Sequence, residues 1–248
     1  MKRKLTIAAI AASAVATSSV LQAQQIWTAG HGDIGLEYDP IEGELEPHWH
    51  LGEDNETVVI DGISQNFGSE GTEFEADELI AEGDRSETRN PTSDWDFLGV
   101  NSGETFWVFP QTEDPSVPYI GIGTEELDPS DWDGNLTLTL IGFSGPGAFS
   151  LYSVDGIGVP TALMATSDGI DSGDVLSIAA DSHEHFNWGF SALGDYELTF
   201  QAEGTLSGGG TVTGSETFGF TVVPEPSSFG FILAAAGLLC AFSRRRRG

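Results

Sequence analysis

From Thr105 onward apolar and polar residues alternate in short runs that turns keep interrupting, and this pattern leaves little choice of fold. Leu136-Thr137-Leu138-Thr139-Leu140-Ile141 alternates cleanly, and Gly145-Pro146-Gly147 turns it into Ala148-Phe149-Ser150-Leu151-Tyr152. Thr105–Phe109 is aromatic and β-branched and stops at Pro110. Tyr119-Ile120-Gly121-Ile122, Val175–Ile178, residues 183–190, 196–200 and 216–223 have the same character, with Gly208-Gly209-Gly210 as a flexible turn before the last. A period of two over four to eight residues is the signature of a half-buried strand. Nearer the start, Thr57–Ile60 reads as a strand closed by Asp61-Gly62. Residues 39–43 form a hairpin-like turn between Glu37-Tyr38 and Glu44-Leu45. The acidic, glycine-bearing residues 64–76 read as a loop, 77–83 as a short strand, and 85–93 as a loop in which Arg85 and Arg89 pair with nearby carboxylates.

Eight or more short strands with hardly a helix predict an all-β chain, an antiparallel β-sandwich. Gly194-Asp195-Tyr196 ahead of an alternating strand has the form of a tyrosine corner, which points to an immunoglobulin-like topology; a jelly roll is the alternative. Pro91-Thr92-Ser93-Asp94-Trp95-Asp96 echoes Pro129-Ser130-Asp131-Trp132-Asp133, but one echo without a sustained period is not a repeat array.

The two ends stand apart from this pattern. Lys2, Arg3 and Lys4 precede an apolar stretch over 5–21 that ends in Gln22-Ala23, the layout of a signal peptide cut after Ala23. At the other end Pro224, Glu225 and Pro226 lead into an uncharged apolar run over 229–242, followed by Arg244, Arg245, Arg246 and Arg247. A membrane-spanning helix needs about 20 apolar residues, so this run is a transmembrane helix at the short end of the range. Four arginines behind it stay on the cytoplasmic side. Tripeptide, apolar segment and basic end, in that order, resemble the PEP-CTERM sorting signal of Gram-negative bacteria. The resemblance implies passage through the secretion machinery and transient retention in the membrane by the C-terminal helix. It also implies cleavage near the tripeptide by an exosortase, with the cell envelope, cell surface or extracellular matrix as destination. The chain thus divides into a signal peptide (1–23), a β-sandwich surface domain (24–223) and a sorting segment (224–248).

Charge narrows the partners. Of the 39 acidic residues 38 lie in 24–223, against two of the nine basic ones, so the body carries a net charge of −36. Nucleic acid and anionic membrane surfaces demand basic patches and are excluded as partners of the body. Exopolysaccharide remains a candidate partner; an acidic one would need a divalent cation between the two surfaces. Three readings account for the charge: solubility, tolerance of salt, and a diffuse Ca²⁺-binding surface. The single cysteine, Cys240, lies in the tail, so the body has neither disulfide nor thiol chemistry and holds together by its core.

A second resemblance spans nearly the whole body. His31-Gly32-Asp33-Ile34 comes first, then Phe106-Trp107-Val108-Phe109-Pro110-Gln111-Thr112 and Gly145-Pro146-Gly147-Ala148-Phe149. His183-Glu184-His185-Phe186-Asn187-Trp188 and Gly194-Asp195-Tyr196 complete the series. In this order they resemble the choice-of-anchor M domain, a surface-anchored module with varied C-terminal anchors. The link of some such proteins to metal-type transporters implies a tie to metal acquisition.

Chemistry concentrates at the histidines. All five fall in three places: His31, the pair His48 and His50, and the pair His183 and His185. In a strand, residues two apart point to one face about 6.6 Å apart, which lets two imidazoles converge on one zinc ion. Asp33 or Glu184 would add an oxygen ligand or orient an imidazole. The competing reading is a polar edge whose histidines are balanced by carboxylates. Asp128, Asp131 and Asp133, and Asp168, Asp171 and Asp174, invite a calcium reading, but neither loop has EF-hand spacing and both have ordinary turn composition. No Gly-x-Ser-x-Gly elbow, His-Glu-x-x-His helix or phosphate-binding glycine loop occurs, so the expectation is a non-catalytic protein. Trp107 and Trp188, in alternating strands, read as core rather than as sugar-stacking platforms.

Overall fold

The computed structural model describes residues 23–225. The expected signal peptide up to Gln22, and Pro226, the apolar run and the four arginines of the tail, lie outside the described residues. Among the described residues no helix is long and apolar enough to cross a membrane.

In chain order the strands are β1 (Gln25–Asp39), β2 (Glu44–Glu53), β3 (Thr57–Ile60), β4 (Ile63–Asn66), β5 (Glu70–Phe74) and β6 (Leu79–Gly83). They continue with β7 (Ser86–Thr88), β8 (Thr105–Phe109), β9 (Pro118–Gly123), β10 (Leu136–Ser144), β11 (Phe149–Val154) and β12 (Pro160–Ala165). The last five are β13 (Val175–Ile178), β14 (His183–His185), β15 (Asn187–Phe190), β16 (Gly194–Thr205) and β17 (Thr211–Val222). The described helical residues are two short 3₁₀ turns, Ser93–Leu98 and Pro129–Asp131. Both fall on the echoed Ser-Asp-Trp segment, so the echo is a shared turn rather than a structural repeat.

The strands form two sheets whose apolar faces share one core, the arrangement of a β-sandwich. The smaller sheet runs β12-β11-β15-β8-β7, and the larger follows the path β13-β10-β16-β17-β6-β1-β2-β5. Trp188 of β15 bridges the layers: its ring meets Phe200 of β16 at 6.0 Å, edge to face, and stacks with Phe220 of β17 at 5.5 Å. All three side chains are fully buried, and burying aromatic rings of this size is the dominant favourable term in such a core. Trp107, by contrast, is only partly buried.

β1 organises the larger sheet. Its first residues run parallel to β6 and antiparallel to β3, and its second half lies between β9, parallel, and β2, antiparallel. Gly30, at φ +93°, sits where the partners change, and a Cβ there would collide with the Thr57 carbonyl oxygen. The sheets are therefore not wholly antiparallel as expected: β1 and β6, β1 and β9, and β6 and β17 pair in parallel. Parallel neighbours need long connections, and their partners cannot be read from local alternation.

Three other expectations are corrected. Residues 85–93 are not all loop, because Ser86–Thr88 form β7, paired with β8. Residues 64–76 contain β4 and β5 rather than a loop, because their backbone pairs with β3 and β2 despite the acidic composition. Residues 183–190 are two strands: β14 pairs with β9 in the larger sheet, and β15 crosses to β8 and β11 in the smaller. The expected hairpin at 39–43 and the strand Thr57–Ile60 are present. Arg85 pairs with Asp114 and Glu87, and buried Arg89 with Asp96 and the carbonyls of Trp95 and Val100, so both arginines are structural.

Candidate metal centre

The part of the larger sheet ordered β14-β9-β1-β2-β5 has one core face and one polar face. Ile34, Leu36, Trp49, Leu51, Ile120 and Ile122 fill the core side. Period-two alternation then sends their neighbours to the other side. Across that polar face the register reads His185–Gly121–Asp33–His50 in one row and His183–Gly123–Gly35–His48 in the next. His31 stands opposite Tyr119.

The glycines make the site. Neighbouring strands lie about 4.8 Å apart, so β14 and β1 stand some 10 Å from each other with β9 between. Gly121 carries no side chain, and the Asp33 carboxylate and the β14 imidazoles meet in the space above it. A Cβ at this position would collide with Asp33 Oδ1 and stand 2.9 Å from His183 Nε2. The loop after β9 holds β14 in place. Buried Thr124 donates its hydroxyl to the Ala179 carbonyl at 2.6 Å and accepts the Ser182 amide at 3.1 Å, fixing the chain one residue before His183.

Four donors converge. His31 Nε2 lies 3.3 Å from His183 Nε2, which lies 2.9 Å from His185 Nε2. Asp33 Oδ2 is 3.5 Å from His31 Nε2, and Asp33 Oδ1 is 3.1 Å from His183 Nε2. Ligands held about 2.0–2.1 Å from a tetrahedral zinc ion stand about 3.3–3.4 Å from one another; these four separations lie around that length, and all four residues offer ligand atoms within 4.8 Å of one another. Asp33 is 2% exposed, and its Oδ1 has no well-aligned hydrogen-bond partner among the described residues.

The surroundings fix which ring nitrogens face inward. His183 Nδ1 is 3.2 Å from Glu125 Oε1 and His31 Nδ1 is 3.4 Å from Glu56 Oε2, so a carboxylate holds the outer N–H of each ring. This is the carboxylate–histidine arrangement that orients metal ligands. His185 stacks flat on Tyr119, with ring centroids 3.6 Å apart. The Asp33 carboxylate beside it pushes His183 up to about 9, whereas burial, reinforced by the neighbouring imidazoles, pulls His185 down to about 4. Adjacent imidazoles of opposite tendency stand around one carboxylate, as expected where a single positive charge is shared.

The five histidines do not form one cluster. His48 and His50, next door on β2, group with Glu126: His48 Nε2 is 3.4 Å and His50 Nδ1 3.2 Å from Glu126 Oε1. The two imidazoles facing its Oε1 hold the Glu126 carboxyl down at about 2, and Glu126 in turn pushes His50 up to about 9. Burial pulls His48 down, but the nearby Glu126 carboxylate and the hydrogen bond to the Glu46 carbonyl outweigh that and raise it. Asp33, Glu53 and Glu125 form a third, all-carboxylate group between the two. Of the two oxygen ligands expected, Asp33 is in place. Glu184 is not: it alternates to the opposite face of β14 and is exposed. Glu53, Glu56, Glu125 and Glu126 gave no sequence signal among 39 acidic residues. The usable signal was Gly121-Ile122-Gly123, glycine at every second position of a strand, which strips one face of side chains.

Three of the six aspartates considered for calcium bind backbone amides instead. Asp128 accepts from the Ser130 amide, Asp171 from Gly173, and Asp174 from Ala165 and Asp171.

Where the fold ends, the address begins. A family model described as the PEP-CTERM protein-sorting motif matches residues 222–247, starting at the last residue of β17. No curated protein and no solved structure matches the chain. The chain therefore carries a PEP-CTERM sorting motif, which marks it as exported, processed by exosortase and sorted to the cell surface.

Proposed function

We propose that the chain is a non-catalytic surface protein whose body, residues 24–223, captures and holds a divalent transition-metal ion, zinc by its donor set. The carrying observation is the convergence of His31, His183, His185 and the Asp33 carboxylate, whose ligand atoms all lie within 4.8 Å of one another. Imidazole nitrogen suits zinc and its first-row neighbours and disfavours calcium and magnesium, which prefer all-oxygen shells. Four protein donors close a tetrahedron and leave no position for water, which favours a holding site over a hydrolytic one. The surrounding negative charge raises the local concentration of cations and speeds their arrival. A Gram-negative envelope or its extracellular matrix is the destination, and acidic exopolysaccharide bridged by cations is a candidate partner.

We also read the sandwich as immunoglobulin-like and the body as of the choice-of-anchor M kind. The first is supported by Tyr196, whose hydroxyl donates to the Ala192 carbonyl at 2.8 Å in the manner of a tyrosine corner. The second is supported by the meeting of two of its motifs, at His31 and at His183, across β9.

Metal content tests the proposal. The chain purified from cells grown with zinc is expected to carry one equivalent of zinc more than the double variant His183→Ala and His185→Ala. Equal metal content in both would overturn it.

A further inference from the structure

We propose that His48, His50 and Glu126 form a second metal site, separate from the four-donor group, that holds an exchangeable divalent ion such as zinc. The argument is one of tautomers. His48 Nδ1 lies 3.1 Å from the Glu46 carbonyl oxygen and His50 Nε2 lies 2.8 Å from the Glu70 carbonyl oxygen. A carbonyl oxygen only accepts, so both of these nitrogens carry the proton. In neutral rings, His48 Nε2 and His50 Nδ1 are then bare lone pairs, and both are aimed at Glu126 Oε1. Three electron-pair donors facing one point repel unless something positive sits among them, either added protons or a metal ion. His48 is 7% exposed and its Nε2 has no well-aligned hydrogen-bond partner, so a deeply buried imidazole nitrogen is directed into the site unsatisfied. The backbone supports the arrangement too: Gly35 faces His48, and a Cβ there would stand 2.8 Å from His48 Nε2, in the ion's place.

Two imidazoles and one carboxylate supply three ligands and leave a fourth position for water, the composition of open zinc sites rather than closed ones. His48 and Glu46 also line a cavity of about 690 Å³ whose wall includes Glu37, Glu44, Glu73 and Glu75. This acidic basin would gather divalent cations beside the three-donor site. The four-donor group holds its ion; the three-donor group exchanges it.

The full chain, stripped of metal and titrated with Zn²⁺ against a chromophoric chelator, is expected to take two equivalents. His50→Gln and, separately, Glu126→Ala are each expected to lose one equivalent and keep the other, with unchanged circular dichroism. His183→Ala is expected to keep the equivalent bound by His48, His50 and Glu126. Two equivalents retained in both His50→Gln and Glu126→Ala would overturn the second site. So would a single equivalent in the unaltered chain that His183→Ala removes, and that result would leave the four-donor site standing. A single equivalent removed by His50→Gln and untouched by His183→Ala would support the second site and defeat the first.

Discussion

The Asp33 carboxylate lies over the α-carbon of Gly121, in the space that any other residue at 121 would need for its Cβ. Two strands that are not neighbours thus share one set of ligands because the strand between them has no side chain at that row. Gly121→Ala is expected to push Asp33 and His183 apart and to weaken zinc binding by about 10–100-fold, the range seen when ligand orientation is lost. Chelator competition on the folded variant measures this; unaltered affinity would mean that the ion does not sit above β9.

Proton linkage gives a second expectation, for the metal-free protein. His183 and His50 are each held at about 9 against an ordinary 6.5, so the stability they contribute is fully present below 6.5 and is lost as pH rises through 9. His185, at about 4, acts in the other direction and costs stability as pH falls from 6.5 through 4. Glu126, at about 2, adds stability above its ordinary 4.5 that is lost as pH falls through 2. Metal-free stability should therefore be greatest close to pH 6.5 and decline on both sides. Zinc displaces the His183 proton, so the rise in melting temperature on adding zinc should grow from about pH 6 to about pH 8.5. Thermal melts with and without zinc across this range decide it. A zinc effect that shrinks toward alkaline pH would be inconsistent with imidazole ligands.

Trp188 offers a test of the sandwich that is independent of metal. It is fully buried between the sheets against Phe149, Phe200 and Phe220. Trp188→Ala is expected to cost about 3–5 kcal/mol, the usual loss on truncating a large buried aromatic ring. Denaturant unfolding reads this directly, and a loss below about 1 kcal/mol would place the ring at the surface instead.

Glu225 of the sorting tripeptide is docked on the body. Glu225 accepts hydrogen bonds from the Ser86 amide at 3.1 Å and its hydroxyl at 2.6 Å, and these bonds hold its carboxyl below the usual range. Removing the hydroxyl bond in Ser86→Ala is expected to free the tripeptide and raise the fraction of chain processed in the producing cell. The ratio of processed to unprocessed bands reports it; an unchanged or lower ratio would show that this contact does not restrain cleavage.

Much of the fold was legible because alternation is local. Leu136 to Leu140 and Thr105 to Phe109 declare their faces within a few residues. β4 and β5 were not legible, since Ser64-Gln65-Asn66 and Glu70-Gly71-Thr72-Glu73 bury little and owe their strand form to neighbours. The break at Phe186 was hidden for the opposite reason: the chain stays extended through it and only changes sheets. The histidine pairs were visible from their spacing of two. Their division was not, because whether His31 joins His183 or His48 depends on which strands flank β1, a non-local fact set by its parallel pairing with β9.

The central claim is that His31, Asp33, His183 and His185 hold one ion, and anomalous diffraction at the zinc edge tests it most directly. Crystals grown with zinc should show a strong peak among the three Nε2 atoms, within about 2.0–2.2 Å of each and of an Asp33 oxygen. Zinc peaks confined to other carboxylates, with the three imidazoles still in contact around an ion-free centre, would contradict the account.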